Sequence, residues 1–298
     1  MIAPKDGFSQ AIATLVDQRD EATYAKNVCV DDAKFVVVLA DGSIATTSNQ
    51  TILLPKNVVS TLGLDLNSGV YLGQSTEGPI FAIQSKQTVA NRTASISSSK
   101  RSDVLGGDEF SDIDREAVTR GCSLLNWNKS QSFCGHCGTP TKSTLGGFRR
   151  DCPNCNAIYF PRTDPTVIML PIHDQKCLLG RNAKFSTGWY TALSGFVEPG
   201  ETLESAIFRE VQEEAGVTIS SVRLSGSQPW PFPHSIMVGA VCDVLDPTIK
   251  VDTLELEDCR WFTRDETAQI RADSHPKGFR NTSKNTLAAR LIDDWLNG

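Results

Sequence analysis

At 298 residues, with 40% apolar and 21% charged side chains, the chain is long enough for about two domains with sizeable cores. Its net charge of −6 excludes a globally basic protein, so general attraction to nucleic acid or acidic membranes is not expected, although a local basic patch stays open. No apolar run approaches the roughly 20 residues that span a bilayer.

Residues 1–103 are predicted to form a β-rich domain. Ala33 to Ala40 reads as a strand that runs into Asp41-Gly42, a hairpin signal, with Ser43 to Ala45 returning. Thr51 to Pro55, Val70 to Gly73 and Pro79 to Gln84 are further short strands. No catalytic pattern occurs here, and a structural or dimerising role is expected. Thr93 to Asp103 is Ser-rich and predicts a mobile connection. Asp112 to Trp127 predicts a helix, capped by Asp112 or Asp114, that leads into a second segment, 112–162.

Of nine cysteines, four form two C-x-x-C pairs, Cys134/Cys137 and Cys152/Cys155, with fourteen residues between the pairs. Thiolates at that spacing close a tetrahedral shell, which predicts a zinc ribbon with one structural Zn²⁺ per chain and no open position for catalysis. His136, inside the first knuckle, reads as a surface residue. Nucleic-acid binding by the ribbon stays open through Lys142, Arg149 and Arg150, against the overall charge. The remaining cysteines (Cys29, Cys122, Cys177, Cys242 and Cys259) are scattered, the usage of a reducing compartment. The first residues, MIAPKDGFSQ, lack a secretory pattern, and the last, DWLNG, are not a Ser-Lys-Leu-type peroxisomal address, so a cytoplasmic protein is expected.

The third segment, 163–298, opens with strands at Thr166 to Ile172, Lys176 to Gly180 and Trp189 to Ser194. Gly195 to Val217, GFVEPGETLESAIFREVQEEAGV, begins as a Gly/Pro turn and continues as a helix from about Thr202 to Ala215. Leu203, Ile207, Glu210 and Glu214 share one stripe, which starts apolar and ends in two carboxylates. Acids near a helix C-terminus are disfavoured by the macrodipole, and burying them unpaired is costly. A cluster that binds hard divalent cations such as Mg²⁺ explains them better than a solvated helix end. Val222 to Ser225 reads as a strand. Ser227 to Ser235, SQPWPFPHS, reads as an exposed, proline-stiffened loop whose Trp230 and Phe232 offer stacking surfaces to a nucleobase, or else pack on the sheet. His234 reads as a polar contact rather than a metal ligand. Ile236 to Val244 is a strand. Glu255, Glu257 and Asp258 precede another, and one of these acids is available to complete the metal site. Ser283 to Leu296 is a C-terminal helix capped by Ser283.

The Gly195–Val217 stretch resembles the Nudix box, G-x5-E-x7-R-E-U-x-E-E-x-G-U with U aliphatic, at Gly195, Glu201, Arg209, Glu210, Val211, Glu213, Glu214, Gly216 and Val217. Residues 115–298 are similar to the NADH pyrophosphatase (NAD-capped RNA hydrolase) family, which has a Cys₄ ribbon upstream of the box and an SQPWPFPxS loop downstream. The N-terminal region resembles that family only in size and β character. The resemblance implies an α+β protein: a Nudix α/β/α sandwich with a mixed sheet, after a zinc ribbon and a mostly β domain. It implies a homodimer that hydrolyses the diphosphate of NADH or NAD⁺ to nicotinamide mononucleotide and AMP, with a related capacity to remove NAD caps from RNA. Other dinucleotides (ADP-ribose, diadenosine polyphosphates) and a non-catalytic nucleotide-binding module are the alternatives.

Family metal ligands carry over to Glu210, Glu214, the Ser194 carbonyl and Glu255, for two or three Mg²⁺ or Mn²⁺ ions. Glu213 is a further acid, as ligand or base, and Glu213 or Glu214 takes the proton. Glu201 and Arg209 are expected to pair and tie the Gly-rich loop to the helix, with phosphate contact by Arg209 also open. Substrate positions carry over to Gln228, Pro229, Trp230, Pro231, Phe232, Pro233, His234 and Ser235, to Phe196 and to Ala288. The position of Phe160 is often Tyr in the family, so ring stacking survives here and a phenol hydrogen bond does not. Arg101 is the candidate for a basic substrate contact ahead of the ribbon.

Overall fold

The computed structural model describes residues 11–13, 18–88, 96–281 and 283–298. They form two compact units, one of Met1–Thr163 with Trp230–His234, the other of Asp164–Pro229 with Ser235–Gly298.

The first unit holds a mixed sheet. β1 (Lys34–Val38) is its centre, parallel to β5 (Gly78–Gln84) and antiparallel to β2 (Ile44–Thr47) and β3 (Leu54–Pro55), with β4 (Val70–Ser75) and β6 (Ile96–Ser99) at the edges. The two-residue period of β1 divides its side chains between two cores. Val36 and Val38 pack with Ala117, Val118 and Cys122 of α4 (Asp112–Ser130), whereas Phe35 and Val37 pack with Tyr71, Phe81 and Leu54. Ser111, not Asp112 or Asp114, is the N-cap of α4, and Asp114 serves as the third helical residue of its capping box.

Other expectations change here. The expected connection over 93–103 contains β6 from Ile96, paired with β2, and α3 (Arg101–Gly106); residues 93–95 lie outside the described residues. The Ser-rich composition hid a strand because the Thr46↔Ser97 and Ala45↔Ser98 pairings, not local hydrophobicity, hold it. Helices α1 (Glu21–Cys29) and α2 (Lys56–Thr61) also escape sequence reading, since each buries a single residue, Val28 and Val59. The ribbon is a three-stranded antiparallel sheet of β7 (Lys142–Thr144), β8 (Arg149–Asp151) and β9 (Ile158–Tyr159).

The second unit is an α/β/α sandwich. β10 (Asp164–His173) lies parallel to β14 (Ser235–Asp246) in one unbroken register from Asp164↔Ser235 to Ile172↔Asp243. β11 (Lys176–Arg181) and β12 (Leu193–Phe196) pair antiparallel with β10. β13 (Thr218–Trp230) flanks β14, and β15 (Asp258–Thr263) flanks β11. Val167 and Met169 face Ala206, Ile207 and Val211 of α5 (Leu203–Ala215). Ile168 and Leu170 face Leu287, Leu291 and Ile292 of α7 (Leu287–Asn297), a core that Ile270 of α6 (Arg264–Arg271) also joins.

Three boundaries differ from expectation. β13 continues through Gln228 to Trp230, so only Pro231 to His234 form a turn, and the proline-stiffened loop is half strand. A proline is compatible with an edge strand, where its missing N–H costs no ladder bond. α7 starts at Leu287 under a Thr286 cap, not at Ser283, whose carbonyl instead accepts from Thr286 in a turn. The strand expected over Trp189 to Ser194 starts at Leu193 and runs into the box, with isolated bridges at Trp189 and Thr191.

Candidate active site and metal centres

α5 is bounded by Thr202, whose hydroxyl accepts from the Ser205 amide at 3.1 Å, and by Gly216 at φ 68°, a left-handed position that favours glycine. Its buried stripe continues from Ile207 into Glu210 and Glu214, which are 8% and 7% exposed. β12 passes directly over this stripe. A Cβ on Gly195 would lie 1.8 Å from Cδ of Glu210, so only glycine lets the strand and the carboxylate coexist.

Arg209 organises the acids. Its Nε and Nη2 bond the two Glu201 oxygens at 2.7 and 2.9 Å, its Nη1 bonds Glu210 at 2.8 Å and Glu213 at 3.0 Å, and Nη2 also donates to the Phe196 carbonyl at 2.9 Å. Glu201 accepts in addition from the Glu198 amide at 2.8 Å, so one planar fork pins the Gly/Pro loop to the helix. The Arg209 bonds hold Glu201 down at about 2, and Glu201 in turn holds Arg209 firmly cationic. Burial pushes Glu210 up despite its Arg209 partner. Glu214 has no such partner: burial, then the charges of Glu210 and Glu255, push it up to about 8. Its Oε2 is buried without a hydrogen bond.

Glu255 is exposed, and its charge reaches both helix acids. It sits in a turn fixed to the end of α5 by Asp252 N–H to the Glu214 carbonyl at 3.1 Å and Lys250 N–H to the Ala215 carbonyl at 2.7 Å. Asn182, just after β11, donates to the Glu255 carbonyl at 2.9 Å. Sequence reasoning passes over Asn182 and Asp252 because their roles are backbone contacts made across the fold. Ser194 lies in β12 opposite Ile168. Glu201, Arg209, Glu210, Glu213, Glu214 and Glu255 therefore come together in the second unit. Phe196 exposes 57% of its surface.

Gln228 is 2% exposed and spends its amide on the backbone, donating to Asn285 O at 2.8 Å and accepting from Leu287 N at 2.7 Å, which fixes the start of α7. Ala288 is buried in the same core and Ser235 is buried at the start of β14. Pro229 is exposed.

In the first unit, Trp230 and Phe232 have centroids 5.1 Å apart, Pro231 is buried, and Pro233 is exposed. Two side chains hold this turn: Arg101 Nη1 donates to the Pro231 carbonyl at 3.2 Å with its guanidinium 4.9 Å from the Phe232 ring, and Asn126 donates to the Pro233 carbonyl at 3.2 Å. His234 is half-buried beside it, and Phe160 stands exposed after β9.

The ribbon brings Cys134, Cys137, Cys152 and Cys155 together, with all four sulfurs within 4.8 Å of one another. Sulfur separations of 3.5 Å (Cys134–Cys155, Cys137–Cys152) and 3.6 Å (Cys137–Cys155) suit a tetrahedral zinc, whose bonds of about 2.3 Å imply about 3.8 Å between sulfurs. Cys122, Cys177, Cys242 and Cys259 are core thiols pushed up by burial. No helix among the described residues is long and apolar enough to cross a membrane.

Comparison with known proteins agrees with this geometry. Residues 162–282 match the NUDIX domain, and residues 129–160 match the NADH pyrophosphatase zinc ribbon domain. The NAD-capped RNA hydrolase NUDT12 of Homo sapiens is 41% identical over 189 residues, 60% of this chain and 41% of that protein. The NAD-capped RNA hydrolase NudC of Chromobacterium violaceum is 41% identical over 150 residues, 50% of this chain and 57% of that protein. The mouse (Mus musculus) protein named NAD(P)H pyrophosphatase NUDT13, mitochondrial, is 34% identical over 230 residues, 70% of this chain and 65% of that protein. The chain thus spans roughly half of the length of these relatives. The ribbon thus lies within the residues that match the NADH pyrophosphatase zinc ribbon domain, and the carboxylate helix within those that match the NUDIX domain.

Proposed function

We propose that the chain uses Mg²⁺ or Mn²⁺ to hydrolyse the diphosphate bond of NADH or NAD⁺, giving nicotinamide mononucleotide and AMP, and that it also removes NAD caps from RNA. The observation that carries this reading is the buried pair Glu210 and Glu214, with a Glu214 oxygen that has no partner inside the protein. An all-oxygen donor set of this kind suits hard divalent cations. Glu210, Glu214, Glu255 and the Ser194 carbonyl would hold two or three of them. Such cations, when bound, neutralise the diphosphate and lower the pKa of a coordinated water.

The chain's own residues then have defined tasks. Arg209 fixes the carboxylate of Glu210 and holds Glu213 within reach of the same site. Glu213 or Glu214 takes the proton of the attacking water. Glu201 keeps Arg209 and the Gly/Pro loop in place. Phe196, exposed on the strand that carries Ser194 and Gly195, offers a ring face for a base or nicotinamide. The relatives, two NAD-capped RNA hydrolases and an NAD(P)H pyrophosphatase, support NAD-containing substrates and RNA caps. A homodimer and a cytoplasmic setting belong to the same proposal, the latter supported by nine cysteines of which none is paired in a disulfide.

Incubation with NADH and Mg²⁺ or Mn²⁺ should release AMP and nicotinamide mononucleotide. The same preparation should convert a 5′-NAD RNA to a 5′-monophosphate RNA. Higher kcat/KM for ADP-ribose or diadenosine polyphosphates would redirect the substrate. Nucleotide binding with no AMP release under either metal would overturn the catalytic reading. Light scattering tests the dimer.

A further inference from the structure

Two side chains from outside the two C-x-x-C knuckles reach sulfurs of the ribbon: Thr139, whose hydroxyl lies 3.4 Å from Sγ of the exposed Cys137, and Tyr159, which reaches the buried Cys134. Tyr159 ends β9, opposite Arg150 of β8, and its phenol oxygen lies 3.0 Å from Sγ of Cys134. The same oxygen accepts from the Gly135 amide at 3.1 Å. A thiolate that ligates zinc carries no proton, so the phenol is the donor of the Tyr159–Cys134 bond. The Gly135 amide uses an oxygen lone pair and leaves the O–H to point at the sulfur. The His136 amide is a second donor to Cys134, at 3.4 Å, and the His136 ring stands edge-on to Tyr159 with centroids 6.3 Å apart.

Burial makes these donors matter. Cys134 is 3% exposed, whereas Cys137 and Cys155 are exposed and can take hydrogen bonds from water. Four thiolates on Zn²⁺ leave a net charge of about −2, and a buried share of that charge needs donors supplied by the protein. Groups in this outer position orient a ligand and tune the metal's hold.

We infer that Tyr159 is a positioning residue of the ribbon's metal centre: its phenol donates to Cys134 Sγ, stabilises that buried thiolate and slows release of the zinc. The inference rests on reading the four cysteines as a zinc site. Because Phe160 follows Tyr159 directly, the same bond ties the first knuckle to the strand end that presents this exposed ring.

The test is Tyr159→Phe in the full chain, which removes one oxygen and keeps the ring, with Tyr24→Phe as a control on another phenol. Zinc content is measured first, and then the rate of zinc transfer to an excess of a chromogenic chelator. Tyr159→Phe should release zinc about 10- to 100-fold faster than the wild type, with the control unchanged. In the Co²⁺-substituted protein, the thiolate-to-metal charge-transfer band should move to lower energy in Tyr159→Phe. Should that variant not fold, Co²⁺ protein grown with 3-fluorotyrosine, a stronger donor, should show the opposite displacement. Unchanged release together with an unchanged band would overturn the inference while leaving the zinc site intact. A wild-type chain that holds no zinc would overturn the zinc reading itself.

Discussion

Replacement of Glu214 by Gln separates the electrostatics of the site from its chemistry. In the absence of divalent cations, Glu214 is 7% exposed, its Oε2 has no partner, and its carboxyl is pushed up to about 8 from an ordinary 4.5. Between those two values the unfolded chain has released this proton and the folded unit has kept it. Stability therefore falls as pH rises through that window, by about 1.4 kcal/mol per pH step and about 5 kcal/mol in all. Glutamine has nearly the same shape and no proton to lose. Without added Mg²⁺, Glu214→Gln should thus match the wild type near pH 4, exceed it by about 3 kcal/mol near pH 7 and by about 5 kcal/mol near pH 9. Urea unfolding followed by far-UV circular dichroism across that range measures the difference. Added Mg²⁺ should reverse the order, because a cation bound only to the folded state stabilises the wild type and finds one ligand fewer in the variant. Turnover of NADH should fall by about 10²- to 10⁴-fold. A stability difference that does not change with pH, or near-normal turnover, would refute the reasoning.

Three further outcomes follow from the same geometry. Arg209→Lys loses the bidentate contact with Glu201; since Glu201 is held at about 2, its contribution is present above its ordinary 4.5 and lost as pH falls toward 2, and the variant should move that acid transition of the box loop up toward 4.5, as read by amide exchange or NMR titration. Gly195→Ala places a methyl where the Glu210 carboxylate lies, while the β10 pairing holds the strand in place; Glu210 must swing away, and Mg²⁺-dependent turnover should fall on the order of 100-fold with the secondary structure retained. Cys134→Ser should lose zinc and unfold the ribbon, seen as lost zinc stoichiometry and new protease cleavage between residues 129 and 160; a stable, zinc-loaded protein that lacks only activity would contradict the structural role.

How much of this was legible in the sequence depends on how local each cause is. The carboxylate stripe is set by helical period alone, and Glu210 and Glu214 are buried where Ile207 leads them. The cysteine spacing is equally local, because each knuckle is one turn. The limits of reading appear where partners lie far away in sequence. Gln228 looked like part of an exposed loop, yet its amide is consumed by Asn285 and Leu287, nearly 60 positions away. Ser97 and Ser98 looked like linker because their hydrogen bonds go to β2. The bond from the Arg101 guanidinium to the Pro231 carbonyl likewise spans 130 positions and leaves no local signal.

Residue order alone supplies the chemistry on offer: four thiolates at ribbon spacing, and a set of acids around one arginine within a single box, since those groups are neighbours along the chain. How they are held is settled by contacts made on folding. Strand β12 crossing at Gly195 leaves room for the Glu210 carboxylate and no more, and the turn anchored by Asp252 and Asn182 brings the charge of Glu255 to bear on Glu214. Those effects depend on burial and on distances between segments far apart in the chain, which residue order does not contain.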